Sequence, residues 1–302
     1  MPTDVGIIDL MLQVPAGVKR NMYRFLSENL RDPESKEFAF PAQYMFKDVP
    51  DDLPPEADPL AVVLGEMDHY GIEQAMIGVG SSVGGDGAAD RVGVGERDHA
   101  IRALREHPDR FLGSFQVDPN KGMDGVRDLV KSYELFGIKA ATAFPAGYSP
   151  QVAIDDRRFY PLYAKCIELD IPIFITTGVP GPRVPMACQK TELLDEVCWF
   201  FPELTVVMRH GAEPWDELAV KLMLKWPNLY YSTSAFAPRY YPASIVDFAN
   251  SRGADKVMYA GYFPMGLSLE RIFSELPHVP FKDDVWPKFL RENARRVLKL
   301  DD

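Results

Sequence analysis

A histidine at the end of an apolar segment is the side chain best suited to proton transfer in this sequence. His210 ends the run VVMRH and is one of five histidines in the chain. An imidazole with its ordinary pKa of ~6.5 can take a proton from water without help from a metal ion. We therefore predict a general base whose activity falls below a pH near ~6.5. The alternative is a hydrogen-bonded histidine that only caps the end of a strand.

Two residues in the following loop, HGAEPW, extend this candidate site. Glu213 could orient His210, although a carboxylate at the N-terminus of the next helix, stabilised by the helix dipole, is the commoner arrangement. Trp215 could line a substrate pocket, or it could pack within the loop. By strand alternation Arg209 should point away from His210, toward an outer helix layer, where it needs a buried partner. We interpret Arg209 as structural.

A cation and several hydroxyl groups follow neighbouring apolar runs. Arg183 lies in GVPGPRVP and could bind a carboxylate or a phosphate, but it could also be a solvated loop residue. Thr177, Ser232, Thr233 and Ser234 supply hydroxyls, of which Ser234 is taken as a substrate-binding residue. These residues form neither a GxSxG elbow nor a recognisable triad.

The elements that must position these residues are short apolar runs that alternate with longer amphipathic segments. This alternation predicts a parallel sheet covered on both faces, with eight strands at Val5–Leu10, Gln74–Val79, Phe111–Val117, Gly137–Ala141, Ile171–Thr176, Thr205–His210, Leu229–Ser234 and Lys256–Ala260. The intervening helices include Asp98–Glu106, Met123–Leu135, Tyr160–Leu169 and Lys190–Phe200. Eight strand–helix units predict a single (β/α)8 TIM barrel over residues 1–302. A doubly wound open sheet is the alternative, but no GxGxxG follows the first run.

Two irregular segments interrupt the alternation. Pro15–Leu60 is rich in Pro, Asp and aromatic residues and follows the first strand, so it predicts a lid or an oligomerisation segment and makes a homodimer plausible. Ser81–Asp98 is rich in glycine and predicts a mobile loop after the second strand. Because it has no GK[ST] ending, it does not indicate a nucleotide-binding loop.

Composition narrows the range of partners. The formal net charge of −11 disfavours nucleic acid and anionic membrane surfaces, which leaves a small-molecule substrate as the expected partner. The three cysteines form no CxxC motif, which predicts neither a disulfide framework nor a zinc site and favours the cytoplasm. No basic and apolar leader precedes the first strand, so we expect no signal peptide, and no run reaches the ~20 apolar residues of a membrane span.

The order and spacing of seven segments give the chain a family resemblance. They are GIID at 6–9, MDHYGIEQAMIGV at 67–79, DDRRFYPLYAKCIELDIPIFITTG at 155–178, FPELTVVMRHG at 201–211, PNLYYSTSAF at 227–236, DKVMYAGYFPM at 255–265 and ENARRVLKL at 292–300. In these segments the chain resembles the amidohydrolase-2 family, which includes aminocarboxymuconate semialdehyde decarboxylases and related aromatic-acid decarboxylases and lactonases.

The resemblance implies a divalent metal held by HxH after strand one, His after strands five and six, and Asp after strand eight. This sequence departs from that pattern. The HxH positions fall on Leu10 and Leu12, or on Met11 if the register shifts by one residue. Thr176 stands at the strand-five position and Tyr262 at the strand-eight position, so only His210 remains. Such side chains do not rebuild a catalytic metal shell, and we expect no metal and no other cofactor.

The resemblance leaves two hypotheses for function. The first is a metal-independent enzyme that hydrolyses, or cleaves a C–C bond in, a small carboxylated or ring-derived acid. In it, His210 is the base, and Tyr262 and Arg183 hold the developing charge. Thr176, Arg183, Glu213, Trp215 and Ser234 are the expected substrate-binding residues. The second is an inactive barrel that binds a small molecule or a partner subunit. A cavity on which His210, Tyr262 and Arg183 converge would favour the enzyme, whereas one plugged by Leu10, Met11 and Leu12 would favour the inactive barrel.

Overall fold

A computed structural model describes residues 1–2, 4–15, 30–33, 53–81 and 96–300. Its eight parallel strands follow the chain order around one sheet: β1 Ile7–Asp9, β2 Ile72–Ser81, β3 Phe111–Gln116, β4 Ala140–Ala143, β5 Ile173–Thr176, β6 Val206–Arg209, β7 Leu229–Ser232 and β8 Val257–Met258. The segments after β1 and β8 meet in a parallel bridge between Leu12 and Phe263. The amide N–H of Gln13 also donates to the carbonyl oxygen of Phe263 at 2.9 Å. The predicted TIM barrel is confirmed.

Helices cover the outside of this sheet. They are α1 Pro59–Tyr70, α2 Glu96–Glu106, α3 Met123–Phe136, α4 Tyr160–Glu168, α5 Leu194–Phe200, α6 Asp216–Lys225, α7 Ala243–Ala249, α8 Leu269–Glu275 and α9 Asn293–Leu298. The predicted helix Lys190–Phe200 is divided into a 3-10 turn, Thr191–Leu193, and α5. Predicted strand four starts too early, because α3 continues to Phe136 and Gly137, in the left-handed conformation, ends it. Parts of the predicted segments Pro15–Leu60 and Ser81–Asp98, at 16–29, 34–52 and 82–95, lie outside the described residues.

Alternation along the strands separates two apolar cores. Inward side chains such as Ile8, Met76, Phe174 and Val207 fill the barrel and continue into residues of α9. Outward side chains such as Ile7 and Met208 pack beneath the surrounding helices. The barrel interior is therefore a packed core, and any cavity must form beyond the strand ends.

A buried carboxylate at the end of the first strand, β1, links this strand to the segment that follows the last strand, β8. Asp9 Oδ1 accepts hydrogen bonds from the amides of Met11 at 2.9 Å and Gly261 at 2.8 Å. Burial raises the pKa of Asp9, and these two backbone hydrogen bonds oppose the shift. The side chain lies away from the barrel axis, beside Tyr259, and so is a link across the barrel seam.

Candidate functional site

A cavity of about 540 Å³ opens at the carboxyl ends of the strands. Apolar walls come from Leu10, Met76, Phe144, Phe236, Met265 and Leu267. Polar groups on the lining include Ser114 and Gln116 from β3 and Thr142 from β4. A cavity of this size, mostly apolar with a few placed polar groups, suits a small organic ligand.

The backbone after β6 brings His210 into this cavity. His210, Gly211 and Ala212 have φ values of 67°, 90° and 58°, so the strand ends in a left-handed turn. Such values are uncommon for residues other than glycine. Gly211 allows the close approach of the Phe236 ring, whose atoms a side chain at this position would overlap. The turn aims the imidazole at the cavity.

Two neighbours fix the imidazole. Ser234 Oγ lies 3.0 Å from His210 Nδ1 and accepts a hydrogen bond from the His210 amide at 3.2 Å. The Tyr262 ring stands edge-on to the imidazole, with centroids 5.4 Å apart. Tyr262 is buried and lines the cavity beside His210. Ser234 contacts His210 and is not itself among the lining residues of the cavity.

Electrostatics keep His210 neutral. Removal of the ring from bulk water, and then the positive charge of Arg209, lower the pKa of His210 well below its ordinary value. A hydrogen bond with the Ser234 backbone acts in the opposite direction. The expectation of a pKa near that of free imidazole is therefore wrong, and the imidazole can accept a proton over a wider range toward acid pH.

Arg209 does not point to the helix layer, and its interpretation as an outward structural residue is wrong. It follows inward-facing Val207 in the alternation and lines the cavity, although only 8% of it is exposed. Its Nε donates to Thr176 Oγ1 at 3.1 Å, and its Nη1 lies 3.8 Å from Met11 Sδ. His210 would face outward by the same alternation, but the left-handed turn brings both residues to one cavity.

Glu213 also lines the cavity, but not as the N-terminal carboxylate of α6. That helix begins at Asp216, and its first turn contains Asp216 and Glu217. Burial, followed by repulsion from Asp216, raises the pKa of Glu213. The loop is held close to the loop after β5, where Gly178 leaves no room for a side chain because its Cβ would lie 2.7 Å from the Glu213 carbonyl oxygen.

The structure does not bring two predicted substrate-binding residues to the cavity lining. Arg183 is an exposed residue whose Nη1 forms an ion pair with Asp32 Oδ1 at 2.9 Å. Trp215 is half-buried just before α6, and its amide donates to the Ala212 carbonyl oxygen at 2.8 Å. Thr176 does line the cavity, where its hydroxyl accepts from Arg209.

Sequence reasoning missed several polar residues of the lining, among them Ser114, Gln116, Thr142, Gln13 and Arg271. Gln13 follows β1, and its Oε1 accepts a hydrogen bond from the Gly78 amide at 3.3 Å. Arg271 lies in the first turn of α8 and contacts Glu275 through Nε at 3.2 Å. Gln13 could have been found from its two-residue spacing to Met11, whereas nothing in the sequence aims Arg271 at the site.

The side chains at the implied metal positions do not fit a divalent metal ion. After β1 the cavity is lined by Leu10, Met11 and Gln13, whereas Leu12 belongs to the outer core. Placing Leu12 at a ligand position is therefore wrong. Within the described ranges no three His, Cys, Asp or Glu side chains are grouped to hold a metal. Thioether, amide and hydroxyl groups with the single imidazole of His210, all beside a guanidinium, are a poor donor set for zinc or manganese.

Solved structures share this architecture. An uncharacterized TIM-barrel protein from Bordetella bronchiseptica is 26% identical, with a TM-score of 0.73 over 98% of this chain and 99% of its own. The 5-carboxyvanillate decarboxylase from Sphingomonas paucimobilis is 15% identical, with a TM-score of 0.67 over 99% and 100%. The 4-oxalomesaconate hydratase from Rhodopseudomonas palustris is 18% identical, with a TM-score of 0.61 over 97% and 95%. The last two likenesses concern the fold.

The helices of the described ranges are too short or too polar to cross a lipid bilayer.

Sequence comparison gives the family directly. No curated protein matches the chain significantly. The family model described as Amidohydrolase matches residues 48–300, which is most of the chain. The protein belongs to the amidohydrolase-2 family.

Proposed function

We propose that this protein is a metal-independent enzyme that acts on a small carboxylated or ring-derived acid by hydrolysis or C–C cleavage, with His210 as general base. Membership in the amidohydrolase family supports an enzyme of the hydrolase or lyase class. One observation carries the rest of the proposal. A base held neutral by burial and by Arg209 lines the same cavity as the phenol of Tyr262.

The roles of the residues follow from their contacts. His210 accepts a proton from water or substrate, and Ser234 holds the ring in position through Nδ1. The Tyr262 phenol, beside the imidazole, donates a hydrogen bond to the oxygen on which negative charge develops. Thr176 orients the Arg209 guanidinium at the cavity wall. No step is assigned to a metal ion, because the donor set does not fit one.

The substrate class has support from the cavity and from the neighbours. Apolar walls such as Phe144 and Phe236 can pack against a ring, and arginines at 209 and 271 lie on the same lining. The solved neighbours include a decarboxylase of 5-carboxyvanillate and a hydratase of 4-oxalomesaconate, which are small acids. A small acid is therefore the substrate that we propose for this chain.

The inactive-barrel alternative has less support. It was expected to show a cavity plugged by Leu10, Met11 and Leu12. Leu12 instead packs in the outer core, and a cavity of about 540 Å³ remains above Leu10 and Met11. The open cavity removes that support for the inactive barrel. Of the three residues expected to converge for catalysis, His210 and Tyr262 line the cavity and Arg183 does not.

The decisive experiment is a substrate screen followed by one substitution. Purified protein is tested against lactones, aromatic acids and acyl-thioesters, and the best substrate is used for His210→Asn. Asparagine keeps some hydrogen bonding but does not titrate, so kcat should fall by at least roughly 10²-fold, the usual value of general-base catalysis. His278→Asn, at an exposed position, is the matched control and should keep the wild-type rate. A folded His210→Asn variant with wild-type kcat would remove this mechanism.

Two further parts of the proposal concern the localisation and the oligomeric state of the protein. We propose a cytoplasmic protein, which the three buried, unpaired cysteines support. We also propose a homodimer, whose sequence basis in 15–60 falls mostly outside the described residues. Light scattering on the purified protein measures the mass, and deletion of 38–55 should abolish the dimer or weaken ligand binding while the barrel still folds.

A further inference from the structure

The buried cation Arg209 contacts the side chains that stand at implied metal-ligand positions. Its Nε bonds to Thr176, at the strand-five position, and its Nη1 lies against Met11, after strand one. It also immediately precedes His210, at the strand-six position, and lowers the pKa of that residue by its charge. The guanidinium therefore contacts residues from two strand ends of the degenerate metal site and is itself carried by a third, that of β6.

A guanidinium at this place changes what the site can bind. Arginine is always protonated in proteins, so its charge depends neither on pH nor, unlike that of a metal site, on whether an ion is bound. A divalent cation placed among the same side chains would be repelled by this fixed charge. It would also lack a full ligand set, because no three His, Cys, Asp or Glu side chains in the part of the chain that the structure describes are grouped to hold a metal. An anion, by contrast, is attracted, and the planar fork of arginine matches a carboxylate in two-point hydrogen bonding.

We propose that Arg209 takes the electrostatic place of the lost metal and is the residue that binds the carboxylate of the ligand in this cavity. This inference rests on the same cavity as the proposed function and adds the residue that holds the substrate. The ring of such a ligand would then lie against the apolar wall formed by Leu10, Met76 and Phe144.

The arrangement differs from a metal in one chemical respect. A metal ion both attracts the substrate anion and lowers the pKa of its own bound water. A guanidinium can only attract and hydrogen-bond the anion. Proton abstraction must then come from a separate base, and the residue next to Arg209 in the chain is His210.

The test compares two probes of similar shape, of which one is an anion and the other is neutral. Calorimetry measures the Kd of benzoate and of benzamide for the wild-type protein, and benzoate should bind at least roughly 10-fold more tightly because its hydrogen bonds are charge-assisted. Arg209→Met keeps an unbranched side chain but removes the charged guanidinium. In this variant the two Kd values should come within about 2-fold of one another. Arg183→Met, at an exposed position off the cavity lining, is the control and should keep the wild-type preference.

A second measurement does not depend on a folded variant. In the wild-type protein, benzoate should shift the NMR signal of the Arg209 Nε–H, and benzamide should not. The proposal is overturned if neither probe binds, if both bind equally, if Arg209→Met keeps the preference, or if the Arg209 signal does not move. These readouts need no turnover. An empty substrate screen would therefore count against the proposed activity and leave the carboxylate site standing.

Discussion

The hydroxyl of Ser234 should be needed for catalysis far more than for folding. Its Oγ accepts from the His210 amide at 3.2 Å and lies 3.0 Å from Nδ1 of the same residue. Ser234→Ala removes both contacts and only one heavy atom. Because Ser234 is 1% exposed, water cannot easily replace the hydroxyl. The substitution therefore removes two contacts at once: the acceptor for the His210 amide in the left-handed turn, and the partner that orients the His210 ring.

The size of the effect follows from these two hydrogen bonds. An unsatisfied buried N–H costs about 1–3 kcal/mol, so the free energy of unfolding should fall by about that amount. A ring that no longer has its Nδ1 partner occupies the reactive orientation for less of the time. A misplacement of about 1 Å can cost about 10²-fold in rate, so we expect kcat to fall by roughly 10- to 100-fold with little change in KM.

Ser232→Ala gives a matched control. Ser232, the last residue of β7, is as buried as Ser234, but its hydroxyl donates to the Met208 carbonyl oxygen of the neighbouring strand β6 at 3.2 Å. It should lose a similar amount of stability and keep the wild-type kcat. Thermal melts and steady-state kinetics on the two variants separate the effects. Equal losses of kcat in both variants would refute the reasoning, because the effect would then be general loosening.

Three further predictions concern pH, the barrel seam and metals. Since burial and Arg209 lower the pKa of His210, the acid limb of kcat/KM should lie below pH ~6.5, and a midpoint at or above it would contradict the proposed environment. As the pH falls, His210 becomes protonated in the unfolded protein at a higher pH than in the folded protein. The free energy of unfolding should therefore fall as pH drops below ~6.5, and His210→Asn should reduce this slope. Asp9→Ala leaves the amides of Met11 and Gly261 without their acceptor and should lower the free energy of unfolding by about 2–5 kcal/mol; a melt like that of the wild type would show that the seam does not need this carboxylate. One equivalent of Zn²⁺ or Mn²⁺ should leave the melting temperature unchanged, and a stoichiometric ion detected in the cavity would disprove our assessment of the donor set.

The fold could be predicted because its signal is repeated along the chain. Each of the eight apolar runs overlaps an observed strand, and their regular alternation with helices excludes most other topologies. The errors are at element ends. Gly137 was assigned to a strand although it terminates α3 in the left-handed conformation, and a glycine after an apolar helix face gives that signal.

The site was predicted less well, because side-chain direction depends on local backbone geometry. Alternation applied from His210 placed Arg209 outside, but the pattern had to be counted from Val207, which faces inward. His210 breaks the alternation with a φ of 67°, which no propensity of histidine announces. Arg183 and Trp215 were placed by their position in loops, and loop position does not determine which way a long side chain points.

Two residues at the end of β6 can together do what a metal site does with ligands from several strands. In the pattern implied by the family, ligands from four strand ends hold an ion that attracts the substrate and acidifies water. Here two consecutive residues can divide that work, since Arg209 supplies a permanent charge and His210 a neutral imidazole on the same cavity. Consecutive residues of a strand normally face opposite sides, so this pairing requires the left-handed turn at His210 and a glycine beneath Phe236. Burial, and then the charge of Arg209, lower the pKa of His210, so the cation that we propose for the anion also helps to keep the base unprotonated before the substrate binds.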